Sequence, residues 1–177
     1  MQIIIAGRGG QGILLMTKVM GEAAFLSGLP VLSSETHGMA LRGGSVITHL
    51  KVGDYRSPLI PAESADAVIG MDEEEAKNNS HFLKKDGMMI INEPGNKNGT
   101  CSVDANQLAR ELGHIKWSNM VLLGFAASQL GHPFSRSAMR EAIARVSPGP
   151  FLDSNLKAFE IGFEKGLKKC TPLCPSP

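Results

Sequence analysis

A glycine-rich turn near the start of the chain has the spacing of an anion-binding site. Gly7, Gly9 and Gly12 fit the pattern G-x-G-x-x-G, and with Gly10 and Gln11 they follow an apolar, β-branched run that is typical of a buried strand. Backbone N–H groups at such a turn, together with the positive end of a following helix, can bind a phosphate. The alternative is that the glycines only allow a strand and a helix to pack closely.

A dinucleotide would need a further residue, an acid at the end of the second strand that binds a ribose. The second strand is predicted over residues 31–33, and the nearest acid is Glu35, which lies just past that strand. The spacing therefore favours a phosphate or another anion over a free dinucleotide.

The segment over residues 33–45 is polar and rich in glycine, which predicts a long functional loop at the carboxyl end of a strand. His37 could act there as an acid or a base, and Arg42 could bind an anion through its guanidinium. The alternative is that His37 caps backbone groups and Arg42 pairs with Glu35. The candidate ligand-binding residues of this segment are Glu35, Thr36, His37, Arg42, Gly43 and Gly44.

The sequence contains no complete catalytic constellation. It has no nucleophile elbow and no Ser-His-Asp order. His37 and His49 are separated by a loop and a strand, and no other spacing suits a metal. We therefore assign no catalytic residue firmly, keep His37 and Arg42 as candidates, and expect no metal site.

Length and composition indicate one globular domain of a cytoplasmic protein. The chain has 177 residues and a net charge of +1, so we predict a single domain over residues 1–168. One Trp and one Tyr argue against binding to single-stranded nucleic acid. No apolar run approaches the ~20 residues that span a membrane, and Met1 leads directly into the first strand, leaving no room for a signal peptide.

The three cysteines are too few to hold an iron–sulfur cluster, which takes four thiolates. An odd, sparse set also argues against a disulfide framework. Cys170 and Cys174 lie in a proline-rich tail over residues 169–177, which we expect to be disordered.

Alternating predicted strands and helices indicate a three-layer, Rossmann-like α/β domain. Strands are predicted over residues 2–6, 31–33, 46–52, 65–71 and 88–92, the last after a turn at 86–87. The alternation over 46–52 predicts one exposed face, so the sheet should be mostly parallel but mixed. Helices are predicted over 13–26, after the caps Asp72, Asp104 and Ser135, and from Asp153 or Ser154 to 168, following a hinge at 148–150.

A strongly apolar helix is predicted over residues 119–130, and it is unusually rich in small residues. Either this helix is buried in the domain or part of it contacts another subunit. Its all-round apolar character favours burial in the core.

Several motifs together resemble one known family, the gamma subunit or gamma domain of 2-oxoacid:ferredoxin oxidoreductases. Within it, the similarity is strongest to the small beta subunit of indolepyruvate ferredoxin oxidoreductase, and it extends to about residue 168. The motifs are Gly7-x-Gly9-Gly10-Gln11-Gly12, Glu35-Thr36-His37-Gly38-Met39 before Arg42-Gly43-Gly44-Ser45, Asn119-Met120-Val121-Leu122-Leu123-Gly124, and Asn155-Leu156-Lys157-Ala158-Phe159-Glu160-x-Gly162.

The resemblance implies that this chain is catalytic only within a complex. A large partner subunit would hold thiamine diphosphate and iron–sulfur clusters, and this chain would hold no tightly bound cofactor. The complex would oxidatively decarboxylate an aryl pyruvate such as indolepyruvate, with coenzyme A accepting the acyl group and ferredoxin the electrons. The glycine-rich turn and the segment with His37 and Arg42 would face the partner's active site or the coenzyme A path.

Two other functions fit the same residues. The chain could be a stand-alone, Rossmann-like module that binds a nucleotide or phosphate at the glycine-rich turn. It could also be the gamma subunit of a pyruvate or 2-oxoglutarate oxidoreductase, because substrate choice would lie in the partner's pocket.

Overall fold

The computed structural model describes residues 1–37, 43–95 and 101–169. The strands in these ranges are Gln2–Arg8 (β1), Val31–His37 (β2), Ser45–Val52 (β3), Ala65–Gly70 (β4), Leu83–Asn92 (β5) and Cys101–Val103 (β6). The α-helices are Ile13–Leu26 (α1), Glu73–Asn78 (α2), Ala105–Glu111 (α3), Ser118–Leu130 (α4), Arg136–Val146 (α5) and Leu152–Lys169 (α6). Single turns of 3₁₀-helix lie at Ser80–Phe82, Ile115–Trp117 and Gly149–Phe151.

The strands form one mixed sheet in the order β2-β3-β1-β4-β5-β6. β1, β4, β5 and β6 run parallel, whereas β3 is antiparallel to both β1 and β2. The prediction of a mostly parallel, mixed sheet is confirmed. The parallel strands end at one edge of the sheet, and the glycine-rich turn leaves β1 at that edge.

Helices cover the sheet on both faces, which confirms the three-layer architecture. On one face Ile3, Ile5 and Ile69 belong to the main core with α1 and α4. On the other face Ile4 and Val68 form a smaller cluster. There α2 approaches so closely that a Cβ on Gly70 would lie 2.5 Å from the Cβ of Ala76.

α4 is a core helix, as its composition predicted. Every residue from Met120 to Ala127 is buried. α6 packs against α4 with almost no space between the two backbones, since a Cβ on Gly124 would lie 1.9 Å from the carbonyl oxygen of Phe159. The small residues of α4 therefore accommodate α6.

The three predicted helix caps are confirmed by their hydrogen bonds. The side chains of Asp72, Asp104 and Ser135 each accept a hydrogen bond from a backbone N–H in the first turn of α2, α3 and α5. The predicted cap of α6 at Asp153 or Ser154 is wrong, because α6 begins at Leu152, directly after the 3₁₀ turn Gly149–Phe151. Helical turns therefore occupy most of the predicted hinge.

The predicted exposed face of β3 is wrong for His49 and Lys51, which are each only 6% exposed. β3 is an internal strand, and its second face is covered by the chain that follows it. The backbone N–H of Ile60 donates to Nδ1 of His49 at 3.1 Å, and the ring of Phe82 packs edge-on against His49 with 5.2 Å between centroids. Burial lowers the pKa of His49, and the charge of Lys51 lowers it further.

Two predictions on the far side of the sheet were also incomplete. The turn predicted at residues 86–87 does not begin β5, which starts at Leu83. Pairing with β4 is nevertheless irregular there, because Ala65 pairs with Leu83 whereas Ala67 pairs with Met88. β6 was not predicted, since three residues are too short to show an alternating pattern.

Two further predictions concern the C-terminal tail and membrane-spanning segments. The proposed tail lies, from residue 170 onward, outside the described residues. Within the part of the chain that the structure describes, no helix has both the length and the apolar character required to cross a bilayer.

Candidate functional site

The glycine-rich turn is held by backbone and side-chain hydrogen bonds. The N–H of Gln11 donates to the carbonyl oxygen of Arg8 at 3.0 Å, and the N–H of Arg8 donates to Oε1 of Gln11 at 2.6 Å. The N–H of Gly9 donates to the carbonyl oxygen of Gly44 at 2.9 Å. The turn is therefore fixed to the chain that leads into β3, which brings together two of the predicted site segments.

The structure confirms the packing role for two of the three glycines of the pattern. A Cβ on Gly7 would lie 2.5 Å from Cδ1 of Ile13, and one on Gly12 would lie 2.2 Å from Nδ2 of Asn119. Gly12 also has a φ of 80°, in the left-handed region that favours glycine. Gly10 has a φ of 94°, and nothing lies within 4 Å of its Cβ position.

The start of α1 lacks the groups that usually neutralise a helix N-terminus. Its N-cap is Gly12, which has no side chain, and its first turn contains no acidic residue. The first backbone N–H groups of a helix have no partner within the helix and carry a partial positive charge. The start of α1 therefore carries a partial positive charge that no side chain of its first turn neutralises.

A cavity of about 810 Å³ opens beside this turn. It extends from the glycines past the starts of α1 and α4 to the segment that joins α5 and α6. Its charged lining residues are all basic, namely Arg8, Lys18 and Lys116. Its walls are mainly apolar, with contributions from Leu14, Val46, Trp117, Val146 and Phe151.

Arg8 is partly neutralised by acids at the start of α2. It forms a salt bridge with Glu74, and its Nε lies 3.8 Å from a carboxylate oxygen of Asp72. Next to them, Glu75 is buried and accepts a hydrogen bond from Oγ of Ser45 at 2.7 Å. The acids therefore support the glycine turn from outside the cavity.

Glu35 is not placed to bind the ribose of a dinucleotide. It lies within β2, opposite Thr48, so the prediction that the strand ends at residue 33 was wrong. β3 separates β2 from β1, which puts Glu35 two strand spacings, or roughly 9–10 Å, from the strand that leads into the glycine turn. A Rossmann dinucleotide site needs the second strand directly beside the first.

The other predicted loop residues have mixed outcomes. Thr36 lies in β2 opposite Ile47, and His37 is the last residue of that strand, so the loop is shorter than predicted. Gly43 lies beside the turn, because its backbone nitrogen would be 3.4 Å from a Cβ on Gly9. Arg42 lies outside the described residues.

Sequence reasoning missed Asn119, Lys18, Lys116 and Trp117 as lining residues of the cavity. A signal existed for Asn119, which is a polar residue at the start of an otherwise apolar helix. The two lysines are far apart in the chain, and only the packing of α1 beside the start of α4 brings them to one cavity. Among residues 1–37, 43–95 and 101–169, no three metal-binding side chains cluster.

Comparison with known proteins identifies the family. The model of the pyruvate ferredoxin/flavodoxin oxidoreductase family matches residues 2–165. The chain therefore belongs to this family of oxidoreductase subunits.

Individual relatives span almost the whole chain. The indolepyruvate oxidoreductase subunit IorB of Archaeoglobus fulgidus is 32% identical over 94% of this chain and 96% of the relative. Pyruvate synthase subunit PorC of Methanocaldococcus jannaschii is 29% identical over 95% of this chain and 98% of the relative. The crystal structure of a keto/oxoacid ferredoxin oxidoreductase gamma subunit from Geobacter sulfurreducens superposes with a TM-score of 0.78 at 27% identity, and covers 94% of this chain and 98% of that one.

Proposed function

We propose that this chain is the small subunit of a complex that oxidatively decarboxylates an aryl pyruvate such as indolepyruvate. The products would be an acyl-coenzyme A and electrons that pass to ferredoxin. The observation that carries the proposal is the similarity to an indolepyruvate oxidoreductase subunit over nearly the full length of both chains. That relative is more similar to this chain than the pyruvate synthase subunit is.

The chemistry of decarboxylation and electron transfer belongs to the large subunit in this proposal. Thiamine diphosphate and iron–sulfur clusters, bound there, would supply the carbanion and electron chemistry. Placing the clusters in the large subunit agrees with the cysteine content of this chain, because it has three cysteines and an iron–sulfur cluster takes four thiolates. Coenzyme A would enter as a co-substrate.

The small subunit would contribute the surface around the glycine-rich turn. Gly9, Gly10 and Gly43 lie close together at the carboxyl edge of the sheet, beside a cavity with a basic lining. This surface would face the partner's active site or the path of coenzyme A, with His37 and Arg42 as further contacts.

Reconstitution tests the proposal directly. The chain is co-expressed with its large subunit, and ferredoxin reduction is measured with indolepyruvate, phenylpyruvate, pyruvate and 2-oxoglutarate in the presence of coenzyme A. We expect the highest kcat/KM with the two aryl pyruvates and no activity from the isolated small subunit. A preference for pyruvate or 2-oxoglutarate would contradict the proposal that the substrate is an aryl pyruvate. Turnover by the isolated chain would contradict the proposal that the catalytic chemistry belongs to the large subunit.

Substitution of Arg42 tests the role of the loop before β3. Lys keeps the charge but loses the planar fork that forms two hydrogen bonds with a phosphate or carboxylate. Losing one charge-assisted hydrogen bond costs ~1.5–3 kcal/mol, so Arg42→Lys should lower turnover of the complex roughly tenfold or more. If Arg42 instead pairs with Glu35, Arg42→Lys will have nearly normal turnover, and Glu35→Gln will lower Tm as much as Arg42→Gln does.

A further inference from the structure

β2 forms an outer edge of the sheet, and no other strand of the described residues pairs with that edge. The strand is seven residues long, and its register with β3 runs without a shift from Val31 to His37. Natural proteins commonly protect such an edge with a proline, a lysine or a bulge, because an unprotected edge pairs with other chains. β2 contains none of these three features. Its edge can therefore accept another strand.

The hydrogen bonds of β2 show which of its backbone groups point outward. The N–H of Gly53 donates to the carbonyl oxygen of Pro30 at 2.9 Å, so these two residues form a hydrogen-bonded pair at the start of the ladder. Hydrogen-bonded and non-hydrogen-bonded pairs alternate between antiparallel strands, so every second residue after Pro30 also directs its backbone groups toward β3. The residues between them direct their N–H and C=O groups to the free edge, and these are Val31, Ser33, Glu35 and His37.

A second copy of β2 complements this edge when the two strands run antiparallel about a two-fold axis at Ser34. Val31 of each copy then faces His37 of the other copy, and Ser33 faces Glu35. The outward groups of both strands all find partners, which gives roughly eight backbone hydrogen bonds, two for each pair of facing residues. The same strand therefore supplies both halves of the contact, as a two-fold symmetric interface requires.

The charges of β2 favour this register over its neighbours. Glu35 and Ser33 are both exposed, and a serine hydroxyl can donate a hydrogen bond to a carboxylate that faces it. Moving the axis to Glu35 would place the two Glu35 carboxylates opposite each other, which is unfavourable. Moving the axis to Ser33 would leave His37 without a facing residue in β2. The net charge of the chain is only +1, so repulsion between whole copies is weak.

We propose that two copies of this chain associate through β2 and form one continuous sheet across a two-fold axis at Ser34. The inference is independent of the proposed function, because it uses only the edge strand, its register and its charges. The contact of two strand edges is smaller than a standard protein interface, so the dimer should have a Kd of roughly micromolar magnitude.

Ser33→Pro tests the backbone pairing. Proline lacks the N–H that Ser33 directs outward, and its ring occupies the space of an incoming strand, whereas the ladder with β3 uses the N–H groups of the neighbouring residues. Ser33→Ala is the matched control, because it changes the same side chain and keeps the N–H. Sedimentation velocity of the full chain at increasing concentrations should show dimers for the wild type and Ser33→Ala, and monomers for Ser33→Pro. Circular dichroism and Tm show whether each variant keeps the fold.

Charge substitutions test the register, and they decide the question if Ser33→Pro fails to fold. Ser33→Glu places a carboxylate opposite Glu35 on both sides of the axis and should raise the Kd of the dimer roughly tenfold. Ser33→Lys places opposite charges there and should leave the Kd unchanged or lower it. Adding Glu35→Lys to Ser33→Glu restores opposite charges, so the double variant should dimerise about as well as the wild type.

A wild-type chain that stays monomeric up to roughly 1 mM would overturn the inference. A Kd that rises equally in Ser33→Glu and Ser33→Lys would refute the register, and a dimer that both Ser33→Pro and Ser33→Glu leave unchanged would refute the interface. The other candidate occupant of the edge is a strand of the large subunit. A monomeric wild-type chain whose Ser33→Pro variant no longer binds the large subunit would assign the edge to that subunit and refute the dimer.

Discussion

The contact between α4 and α6 predicts opposite effects for one substitution at two glycines. Gly162 lies in α6 where it crosses α4, and a Cβ there would be 1.9 Å from the carbonyl oxygen of Val121. Gly21 lies inside α1, and its Cβ would be 3.6 Å from Cγ1 of Val31, an ordinary contact distance. We expect Gly162→Ala to destabilise the protein and Gly21→Ala to stabilise it.

The magnitude follows from two opposing terms. Replacing glycine by alanine inside a helix is intrinsically favourable by ~1 kcal/mol, and this term is the same at both sites. At Gly162 the obstacle is backbone, so α4 and α6 must separate by about 1 Å, and overpacking of this kind costs ~1–3 kcal/mol, occasionally more. The separation also loosens the contact of Phe159 with α4. Because the obstacle is backbone, the upper part of this range, ~2–3 kcal/mol, applies to Gly162→Ala, and subtracting the intrinsic gain leaves a net loss of about 1–2 kcal/mol. For Gly21→Ala we expect a gain of ~0.5–1 kcal/mol.

Thermal and urea unfolding of the isolated chain measure these effects. For a chain of this size 1 kcal/mol changes Tm by roughly 2–4 °C, so the two variants should differ by about 3–12 °C. Gly124→Ala tests the reciprocal contact, since its Cβ would be 1.9 Å from the carbonyl oxygen of Phe159. The reasoning is refuted if Gly162→Ala is as stable as Gly21→Ala, because the two helices would then tolerate a side chain where they cross.

Three further predictions concern charge and partners. Burial raises the pKa of Glu160, but hydrogen bonds from Arg136 and Arg140 outweigh this and lower it overall. The stability it contributes is therefore present at neutral pH and lost as pH falls through that lower pKa, so in urea unfolding Glu160→Gln should destabilise at pH 7 and progressively less as the pH is lowered. Burial and the charge of Lys51 lower the pKa of His49 below 6.5, so stability should fall as pH drops below that value. His49→Gln should flatten this dependence between pH 7.5 and 5.5, and an unchanged slope would exclude His49 as its source. Viologen reduction with any 2-oxoacid should be absent from the isolated chain and appear on addition of the large subunit.

Local features of the fold were predictable because their causes lie within a few residues. The bounds of α1 follow from its apolar spacing and from the glycine after it. The caps Asp72, Asp104 and Ser135 follow from side chains that accept hydrogen bonds from the next turn. The mixed sheet was predicted from contrasting sequence patterns, with β1 apolar on both faces and β3 alternating, although the burial of His49 and Lys51 shows that the alternation did not mark an exposed face.

Features that depend on strand order were not predictable in the same way. β3 lies between β1 and β2 because it pairs with both along their whole length. The residues around Glu35 do not indicate this strand order, so the distance of Glu35 from β1 could not be predicted from them. The chain that follows β3 covers its second face and buries His49 and Lys51, which a periodic pattern places on an exposed face. The contact of the Asn119 side chain with Gly12 likewise depends on α4 beginning beside α1, which is a tertiary contact.

The contacts of the individual glycines explain why the G-x-G-x-x-G pattern occurs although Glu35 is not placed to bind a ribose. The side chains of Ile13 and Asn119 occupy the space that a Cβ on Gly7 and on Gly12 would take. Gly9 is hydrogen-bonded to Gly44. Among the four glycines of this turn, only Gly10, which is not one of the three glycines of the pattern, has both open space and a left-handed backbone. The pattern therefore specifies how β1, α1 and α4 pack around the start of α1.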